Sequence, residues 1–514
     1  MQSFADRFVR AVHWSIAISV VTLLVQLVIT AVVARLLSPA DFGLYAIANV
    51  AFMIAVNVSV GLVSTITREP SLDSEFVGSA LLLSCSVSAI LACAMFLIAP
   101  WASSFGGNRE HSDLIRVLMQ LMSARILVVG VGTPAQALLQ RDLRFRDLGL
   151  IQSAGLLIGT GGTTIALAQA GLGSMSLLWG DIANSTIVSG ACWWCVRGRW
   201  STCCNAAHVS RIGWISWQMT LLRALDVLWT QLPILVARAY LGPAAVGLYQ
   251  RSQTLVDVGI QYSTGRVSVV LYPVMAARQD RSVFIRDLVA PLVGLYSMFL
   301  FSATVFVALM APDIVRVFLG PAWTDAARTL PWIMIAFTAL HLSQPASAQL
   351  EVLALLRPRI ISSACGAVGF VVSSLFLVRP YGLQGIAAAA ILSGVTTTMI
   401  NFAAVRHYLQ VRPRELARWM IPSTGVALVL LGALLILYRY FVVWISSPMF
   451  RLVVMLTIAI FVSLIGFRLL LGSKRREVLS LYMSRDVPRF ASVTAKLLGL
   501  RLPKREPLEQ GLTG

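Results

Sequence analysis

Long apolar runs recur along the whole chain and are separated by short polar segments. One run, residues 16–34, reads IAISVVTLLVQLVITAVVA and contains no charged residue. Since a helix of about 20 mostly apolar residues crosses a bilayer, windows of that length predict about fourteen transmembrane helices. They lie near residues 13–36, 43–67, 76–99, 114–138, 149–169, 173–196, 213–240, 246–272, 286–310, 329–352, 359–378, 383–405, 419–440 and 447–471. The pattern predicts an all-α polytopic membrane protein.

The composition of the 514-residue chain agrees with this class. Hydrophobic residues make up 58% of the chain and charged residues only 12%, whereas soluble domains average about 25% charged residues. No stretch predicts a soluble domain. The first apolar run follows Arg7 and Arg10 but is too long for the core of a signal peptide, so it is predicted to be the first transmembrane helix.

Basic residues concentrate in every second connection between the predicted spans. These connections hold Arg7, Arg10, Arg68, Arg141, Arg144, Arg146, Arg197, Arg199, Arg211, Arg278, Arg281, Arg357, Arg359, Arg412, Arg414, Arg418, Lys474, Arg475 and Arg476. Cytoplasmic loops carry the excess of Lys and Arg in membrane proteins, so both termini are predicted to be cytoplasmic. This orientation and contact with anionic lipid explain the net charge of +19, and no nucleic-acid partner is predicted.

A twelve-residue stretch near the start of the chain has a near copy in its second half. LSPADFGLYAIA at residues 37–48 and LGPAAVGLYQRS at residues 241–252 agree at six positions. Six predicted spans separate the two copies, and because six is even, both copies lie on the same side of the membrane. The chain is therefore predicted to hold two six-helix lobes related by a pseudo-twofold axis along the membrane normal.

The repeat divides the chain into four predicted parts. They are an N-lobe at 1–200 with spans 1–6, a C-lobe at 201–410 with spans 7–12, two appended spans at 411–472, and a basic cytoplasmic tail at 473–514. Transporters with parallel repeats bind substrate between the lobes and work by alternating access. A duplication that only supports folding is the alternative. The tail is predicted to lie on the membrane surface, with disorder as its alternative.

The first helix of each lobe carries polar residues on one face. Ser19, Thr22 and Gln26 recur every three or four residues, which is the spacing of one helix face. A shift of 204 residues places Arg223, Asp226 and Thr230 on the same three positions. Both stripes are predicted to line the space between the lobes and to bind the substrate.

The second helix of each lobe adds amides and a carboxylate to the predicted site. Span 8 carries Gln253, Asp257 and Gln261 at steps of four residues. Span 2 carries Asn49 and Asn57 at the positions that match the two glutamines. These five residues are predicted to continue the two polar stripes.

Charged groups within the spans are predicted to face a cavity. An ionisable group at the middle of a membrane costs at least about 2.5 kcal/mol on insertion scales and normally faces the protein interior or water. Arg223, Asp226 and Asp257 are therefore predicted to line the cavity. A purely structural ion pair between Arg223 and Asp226, three residues apart on one helix, is the alternative.

Two charged residues of the N-lobe have competing interpretations. Asp181, close to Asn184 in span 6, is predicted, together with Asp226 and Asp257, to bind a coupling proton or cation; a satisfied packing pair is the alternative. Arg125 in span 4 either lines the cavity or packs against a neighbouring helix. The choice depends on which helices these residues face.

Three further arginines lie near the outer ends of their spans and off the polar stripes. They are Arg35, Arg238 and Arg251. Because long basic side chains can extend along apolar surface to the headgroups, all three are predicted to reach the lipid headgroups.

The cysteine pattern does not favour a metal site. Of seven cysteines, the only cluster is Cys192, Cys195, Cys203 and Cys204. No His or Cys pair completes a zinc-ligand set, so these residues are interpreted as small apolar helix residues. No cofactor is predicted, and since no nucleophile has a base nearby, the chain is not predicted to be an enzyme.

Several of these motifs resemble the Wzx-type polysaccharide-transport flippases of the multidrug/oligosaccharidyl-lipid/polysaccharide superfamily. The resemblance rests on the plan of six, six and two spans, on ARLLSPADFGLYAIA after the first span, on QRDLRFRDL after the fourth and on YGLQGIAAA at the twelfth. It covers the chain from about residue 10 to about residue 410.

This resemblance implies a bacterial inner-membrane protein that flips lipid-linked oligosaccharide. The expected substrate is an undecaprenyl-diphosphate-linked unit for O-antigen, capsule or exopolysaccharide, and polymerase and chain-length proteins of the same pathway are the expected partners. Arg223 would meet the diphosphate, and the polar stripes would meet the sugar hydroxyls.

Two other transporter classes remain as alternatives. Drug/cation antiporters of the same superfamily share the duplicated core but usually have twelve spans. Peptidoglycan-precursor flippases have fourteen, but they typically carry basic residues on the first helices, where this chain has Ser19, Thr22 and Gln26. An enzyme of the same pathway would be expected to have a larger external loop than any predicted here.

Overall fold

The computed structural model describes residues 21–68, 74–104, 109–142, 144–197, 230–260, 282–353, 355–444 and 447–470, and the single residues 205, 209 and 227. Throughout these ranges the chain forms helices and turns, with no β-strand. The prediction of an all-α protein is confirmed. Four residues of the predicted site lie outside the described residues, namely Ser19, Arg223, Asp226 and Gln261, and so does the tail at 473–514.

The helices between residues 21 and 197 form the N-lobe. They are α1 (Val21–Leu36), α2 (Pro39–Arg68), α3 (Ser74–Ser104), α4 (Arg109–Arg141), α5 (Phe145–Gln169) and α6 (Ser174–Cys195). Helix α4 packs against α2, α3 and α6. Helix α5 contains a π-helical segment, Gly155–Thr163. A Cβ on Gly159 would lie 2.3 Å from the backbone nitrogen of Asn184, so α5 and α6 approach to backbone contact.

The helices between residues 230 and 409 form the C-lobe, and two more helices follow it. They are α7 (230–241), α8 (Pro243–Ile260), α9 (Ser282–Phe318), α10 (Ala326–His341 and Gln344–Val352), α11 (356–381), α12 (383–409), α13 (Pro413–Trp444) and α14 (Pro448–Leu470). A 3-10 turn, Pro321–Trp323, joins α9 to α10.

Helices α11 and α12 are the two halves of one long helical stretch, Leu356–Leu409. At Gly382 the backbone leaves the helical region, with φ 55° and ψ −130°. As a straight helix, 54 residues would reach about 80 Å, more than twice the roughly 30 Å of a bilayer core. The break at this glycine therefore separates two crossings, as the hydropathy of spans 11 and 12 predicts.

Eight helices of the described residues are long and apolar enough to cross a membrane. One of the eight is the stretch that α11 and α12 share, and α1, α6, α7, α8 and α10 coincide with further predicted spans. A polytopic helical membrane protein is therefore confirmed. The number of fourteen crossings stays a prediction.

The two copies of the repeated corner pack directly on each other. Helices α2 and α8 begin at Pro39 and Pro243 and cross where Gly43 meets Gly247. A Cβ on Gly43 would lie 1.7 Å from the carbonyl oxygen of Pro243, and one on Gly247 would lie 1.8 Å from that of Pro39. Such an approach needs glycine at both positions. We call the end of the bundle that carries this crossing the corner side.

The beginnings of α2 and α8 are built differently at the position before the proline. Before α2, the Ser38 backbone N–H donates to the Asp41 carboxylate at 3.1 Å, and the Asp41 backbone N–H donates to the Ser38 hydroxyl at 3.2 Å. This reciprocal pattern is a capping box. Before α8, Gly242 takes φ 87°, a conformation that favours glycine. The serine-to-glycine difference between the two copies therefore has a local structural reason.

Helices α13 and α14 dock on α9 and so belong to the C-lobe side of the protein. The Arg451 guanidinium on α14 donates two hydrogen bonds to the Asp313 carboxylate on α9, one of them at 2.8 Å from Nε. Towards the other end of α9, the Ser423 hydroxyl of α13 donates to the Gly294 carbonyl at 3.1 Å. Each helix of the appended pair is thus hydrogen-bonded to the same C-lobe helix, α9.

Candidate functional site

A polar cavity of about 290 Å³ lies inside the C-lobe. Helices α7, α8, α10, α11 and α12 surround it, and every described lining residue belongs to the C-lobe. Among the polar lining residues are Thr230, Gln253, Asp257, His341, Gln344 and Arg359. The cavity therefore combines a carboxylate, amides and hydroxyls in the interior of a membrane protein.

Helices α7 and α8 bring three of the predicted site residues together in this cavity. Tyr249, Gln253 and Asp257 are four residues apart, so they share one face of α8. Thr230 on α7 faces the same cavity and donates its hydroxyl to the Val227 carbonyl at 2.8 Å. Within the described part of the chain, the Gln253 side-chain oxygen is buried and accepts no hydrogen bond. The described residues of the C-lobe stripe thus face one cavity from two helices.

Arginine 359 at the start of α11 lines the cavity but is not among the predicted site residues. The sequence indicates only a basic connection at this end of the span, whereas the side chain is buried, with 8% of it exposed. Its Nε donates to the Glu351 carboxylate at 3.3 Å, and the same guanidinium donates to the Ser363 hydroxyl. The signal available in the sequence is a glutamate eight residues before the arginine and a serine four residues after it. At this spacing the Glu351 carboxylate can neutralise the Arg359 guanidinium inside the lobe.

Histidine 341 closes the cavity from α10. Its ring stacks on Phe337 with centroids 5.4 Å apart, and Nδ1 donates to the Phe337 carbonyl at 2.9 Å. The hydrogen bond and the stacking fix the ring on its own helix. His341 has no counterpart among the predicted site residues, because a single histidine in an apolar span carries no periodic signal.

The N-lobe holds a buried charged cluster at the matching depth. The Arg125 guanidinium on α4 lies 2.9 Å from the Asp181 carboxylate on α6 and donates from Nε to Ser185 at 3.1 Å. It also lies over the Phe52 ring, 3.9 Å from the centroid. The Tyr45 hydroxyl of α2 donates to the same Asp181 carboxylate. Of the two interpretations of Arg125, these contacts support packing against neighbouring helices.

The described residues of the predicted N-lobe stripe make mostly local contacts. Thr22 on α1 shares a hydrogen bond of 2.8 Å with Ser153 on α5, inside the N-lobe. Asn57 donates to the Met53 carbonyl of its own helix at 2.9 Å. Gln26 is partly buried, and the Asn49 side-chain oxygen is buried without an acceptor contact in the described residues. Whether these groups face the C-lobe across a substrate path stays a prediction.

Arg35, Arg238 and Arg251, which were predicted to reach the lipid headgroups, each have a partner in the opposite lobe. Arg35 donates to the carbonyl oxygen of Val317 and Arg238 to that of Ala102, both at 3.0 Å. Each of these bonds joins one lobe to the other.

Arg251 of α8 also crosses the lobe interface. Its guanidinium lies 3.8 Å from the centroid of the Phe42 ring on α2. The repeat places all three arginines beside the corner, where the opposite lobe is nearer than the headgroups. A hydropathy profile of one chain carries no information about this neighbour.

The described residues contain no cluster of three or more His, Cys, Asp or Glu side chains that could hold a metal ion. Cys192 is buried in a small apolar cluster with Phe76 and Leu138, which agrees with its interpretation as a small apolar residue. The candidate site is therefore one of hydrogen-bonding and charged side chains, suited to holding a polar ligand or a small cation.

Comparison with known families gives one match. The model of a family described as "Polysaccharide biosynthesis protein" matches residues 32–328. The match begins in α1 and ends in α10, and it covers more than half of the 514-residue chain. It includes both copies of the repeated corner.

Two curated relatives are similar to this chain. The lipopolysaccharide biosynthesis protein WzxC of Escherichia coli (strain K12) is 22% identical over 339 residues, which covers 65% of this chain and 67% of the relative. The succinoglycan biosynthesis transport protein ExoT of Rhizobium meliloti (strain 1021) is 24% identical over 287 residues, covering 54% of this chain and 56% of the relative. The chain spans between about half and two thirds of these relatives' lengths.

A solved structure shares the fold. The lipid II flippase MurJ in an inward closed conformation aligns with a TM-score of 0.70 at 14% identity, covering 89% of this chain and 97% of that chain. At this identity the likeness shows the fold alone. It agrees with the helical fold described above.

Proposed function

This chain belongs to the polysaccharide biosynthesis protein family, and we propose that it is a flippase for undecaprenyl-diphosphate-linked oligosaccharide units. It moves them from the cytoplasmic to the periplasmic leaflet of the bacterial inner membrane for O-antigen, capsule or exopolysaccharide synthesis. The observation that carries the proposal is the family match, which spans helices α2 to α9 and both corners. The relatives are named for lipopolysaccharide biosynthesis and for succinoglycan biosynthesis transport, and transport across a membrane fits a polytopic helical chain.

Transport proceeds by alternating access between the two lobes. The symmetric crossing of Gly43 and Gly247 is a contact that can close one side of the bundle while the other side is open. With both termini cytoplasmic, the corner side is periplasmic and the conformation in hand is closed towards the periplasm. The polymerase and chain-length proteins of the pathway then receive the unit on the periplasmic side.

The substrate needs two kinds of contact on its path. A lipid diphosphate carries roughly two negative charges that need cationic or hydrogen-bonding partners, and we assign this role to Arg223, with Asp226 as its neighbour on the same face. Sugar hydroxyls need amide and hydroxyl partners. The buried side-chain oxygens of Asn49 and Gln253, which accept no hydrogen bond within the described residues, support an amide lining at repeat-matched positions.

Asp257 is the carboxylate best placed to couple transport to a proton or cation. It lines the C-lobe cavity, and no ion pair of Asp257 occurs among the described residues. Buried ionisable groups of this kind mark ion pathways in membrane proteins. For Asp181 the contacts with Arg125 and Tyr45 support a packing role instead. Asp226 stays a coupling candidate beside Arg223.

A flippase for lipid II is the second candidate. The likeness to the lipid II flippase fold over 89% of this chain favours it, and the two carriers share the chemistry of an undecaprenyl diphosphate. A drug/cation antiporter is less favoured, since those proteins usually lack the appended helices that here dock on α9 through Arg451 and Asp313.

The test is deletion of this gene in its own host and return of the chain on a plasmid. The deletion is expected to abolish the surface polysaccharide and to leave its lipid-linked unit on the cytoplasmic leaflet, out of reach of a lectin added to spheroplasts. The returned chain is expected to restore both. A deletion strain that keeps its surface polysaccharide but accumulates lipid II would favour the second candidate. One that only gains drug sensitivity would favour the antiporter.

A further inference from the structure

Both lobes end their first helix with the same three residues. A Val-Ala-Arg triplet ends in Arg35 at the end of α1 and in Arg238 near the end of α7. Arg35 donates to the carbonyl oxygen of Val317 in the last turn of α9, and Arg238 donates to that of Ala102 in the last turn of α3. Each arginine therefore reaches the third helix of the opposite lobe. The pair follows the pseudo-twofold symmetry of the corners.

The carbonyl groups that accept these bonds are well suited to a cation. The last four carbonyls of a helix have no partner within the helix, and the helix dipole places a partial negative charge at that end. Arg35 is exposed and Arg238 is half-buried, so water can reach Arg35 while the lobes are closed. Once the lobes part, water can hydrate the carbonyl groups at both helix ends.

A tryptophan adds a third bond between the lobes at the same place. Trp323, in the turn between α9 and α10, is fully buried and donates its indole N–H to the Ala34 carbonyl of α1 at 2.8 Å. Its ring meets Phe42 of α2 edge to face, with centroids 5.3 Å apart. Gly320, at φ 93°, ends α9 and turns the chain towards this contact.

We propose that Arg35, Arg238 and Trp323 form a latch that holds the two lobes closed on the corner side and opens in every transport cycle. The inference rests on the proposed function, because only a carrier that alternates access has to part its lobes there. The three side chains are positioning residues: they set the balance between closed and open lobes and do not contact the substrate.

The chemistry of the contacts distinguishes a latch from a permanent interface. All three bonds end on backbone carbonyls in the last turns of helices, which water can serve after separation. A permanent contact in this protein looks different: Arg451 and Asp313 form a bidentate pair that is almost fully buried, and parting it would leave two charges unpaired. Each of the three latch bonds instead ends on an uncharged backbone carbonyl.

The test measures the separation of the lobes directly, without substrate. Spin labels are attached at Ala170→Cys, which is exposed at the end of α5, and at Arg379→Cys, which is exposed near the end of α11. The labels are introduced after the seven native cysteines have been replaced, and distances are recorded by double electron–electron resonance in nanodiscs. Gly43→Ala serves as a positive control, because a Cβ there meets the Pro243 carbonyl at 1.7 Å and must push the lobes apart.

Arg35→Ala with Arg238→Ala is expected to raise the ratio of open to closed lobes at least about tenfold, equal to about 1.4 kcal/mol. Trp323→Phe, which keeps the ring and removes the N–H, is expected to raise it by a smaller factor. Arg35→Lys with Arg238→Lys is expected to keep most molecules closed, because an ammonium can also cap a helix end. Arg328→Ala, an exposed arginine beyond the same turn, is expected to leave the distances unchanged.

Unchanged distances in the double alanine variant, alongside an opened Gly43→Ala, would overturn the latch. Opening to the same extent in Arg328→Ala would also overturn it, because the effect would then be one of general charge. Where the double variant is poorly folded by size-exclusion chromatography, the single changes Arg35→Gln and Arg238→Gln carry the same comparison. Since no substrate is present, failure of the flippase proposal would appear only in the polysaccharide assay and not in these distances.

Discussion

Tyr45 and Tyr249 occupy the same place in the two copies of the repeat, but their surroundings differ. The Tyr45 hydroxyl donates to Asp181, which is also paired with Arg125, so the interior of the N-lobe is filled by a charged cluster. Tyr249 lines the cavity of about 290 Å³ in the C-lobe, next to Asp257. At this position the N-lobe contains a buried ion pair, whereas the C-lobe contains a cavity.

This difference separates two uses of a buried carboxylate. A carboxylate with a guanidinium and a hydroxyl as partners holds helices together, and its loss is felt in folding. A carboxylate that faces a cavity without an ion pair adds little to packing and is free to take up a ligand or a proton. The comparison therefore supports the proposals of a structural role for Asp181 and a transport role for Asp257, and each proposal can be tested by experiment.

The largest effect is expected from removal of the N-lobe cation. Arg125→Ala leaves the Asp181 carboxylate in the protein interior without its partner, which costs about 3–5 kcal/mol. Abundance in the membrane and the melting temperature, read by fluorescence-detected size-exclusion chromatography, are expected to fall sharply. Arg116→Ala, an exposed arginine on the same helix, is the matched control and is expected to be close to wild type.

The double change Arg125→Leu with Asp181→Leu sharpens this prediction. Because neither charge is then left alone, stability is expected to recover most of the loss. A double variant as unstable as Arg125→Ala would show that the stacking of Arg125 on Phe52, at 3.9 Å, matters more than the ion pair.

The next largest effect is expected at the first helices, where the repeat matches Ser19 with Arg223. Arg223→Ala is expected to lower polysaccharide export by at least about a hundredfold, equal to about 2.7 kcal/mol, at near-normal abundance, because the diphosphate loses its cation. Ser19→Ala is expected to lower export by less than about tenfold. Export is measured as surface polysaccharide in the complemented deletion strain.

Two further variants at this position separate binding from pairing. Arg223→Lys is expected to rescue only in part, since an ammonium lacks the planar fork that grips two phosphate oxygens. Full restoration of export by Arg223→Ala with Asp226→Ala would reject the headgroup role and leave Arg223 as a structural partner of Asp226.

A smaller effect is expected from the C-lobe carboxylate. Asp257→Asn keeps the shape of the side chain and removes its charge, so export is expected to fall about tenfold while the free energy of unfolding changes by less than about 1 kcal/mol. Asp181→Asn is expected to do the reverse, lowering stability more than export. If Asp257→Asn leaves export intact, the open carboxylate is not part of the transport path.

The helices and the repeat could be predicted from the sequence. Apolar runs indicate the helices, and matching residues at a constant spacing indicate the repeat. The glycines at 43 and 247 could be matched by spacing, yet their direct contact could not, because spacing within one copy does not say which helix lies opposite. The same limit explains Arg125 and Asp181, which are 56 residues apart and each interpretable in two ways. Which helices pack against each other is a property of the tertiary structure, and the spacing of residues along one helix does not reveal it.

The arginines whose partners the sequence does not reveal share a physical cause. Arg359 lies near a span end, where hydropathy assigns charges to water, but Glu351 neutralises it inside the lobe and the Ser363 hydroxyl accepts a hydrogen bond from it. Arg251 lies near a corner, where the opposite lobe supplies Phe42 as a partner. A charge near the end of a span can be buried whenever a partner is within reach, and only the fold shows that partner.

The last prediction concerns the two tyrosines themselves, where Tyr249→Phe is expected to have the smallest effect of all, and it tests the comparison most directly. Tyr45→Phe removes a hydrogen bond to a charged group, which contributes about 1.5–3 kcal/mol, so the melting temperature is expected to fall measurably. Tyr249→Phe removes a hydroxyl that lines a cavity, and the free energy of unfolding is expected to stay within about 0.5 kcal/mol of wild type. Combining Tyr45→Phe with Asp181→Asn, and Tyr249→Phe with Asp257→Asn, gives one double-mutant cycle for each lobe. Tyr45 is expected to show coupling to Asp181 and Tyr249 none to Asp257; equal coupling in both cycles would mean that the two lobes do not differ at this position in the way their contacts indicate.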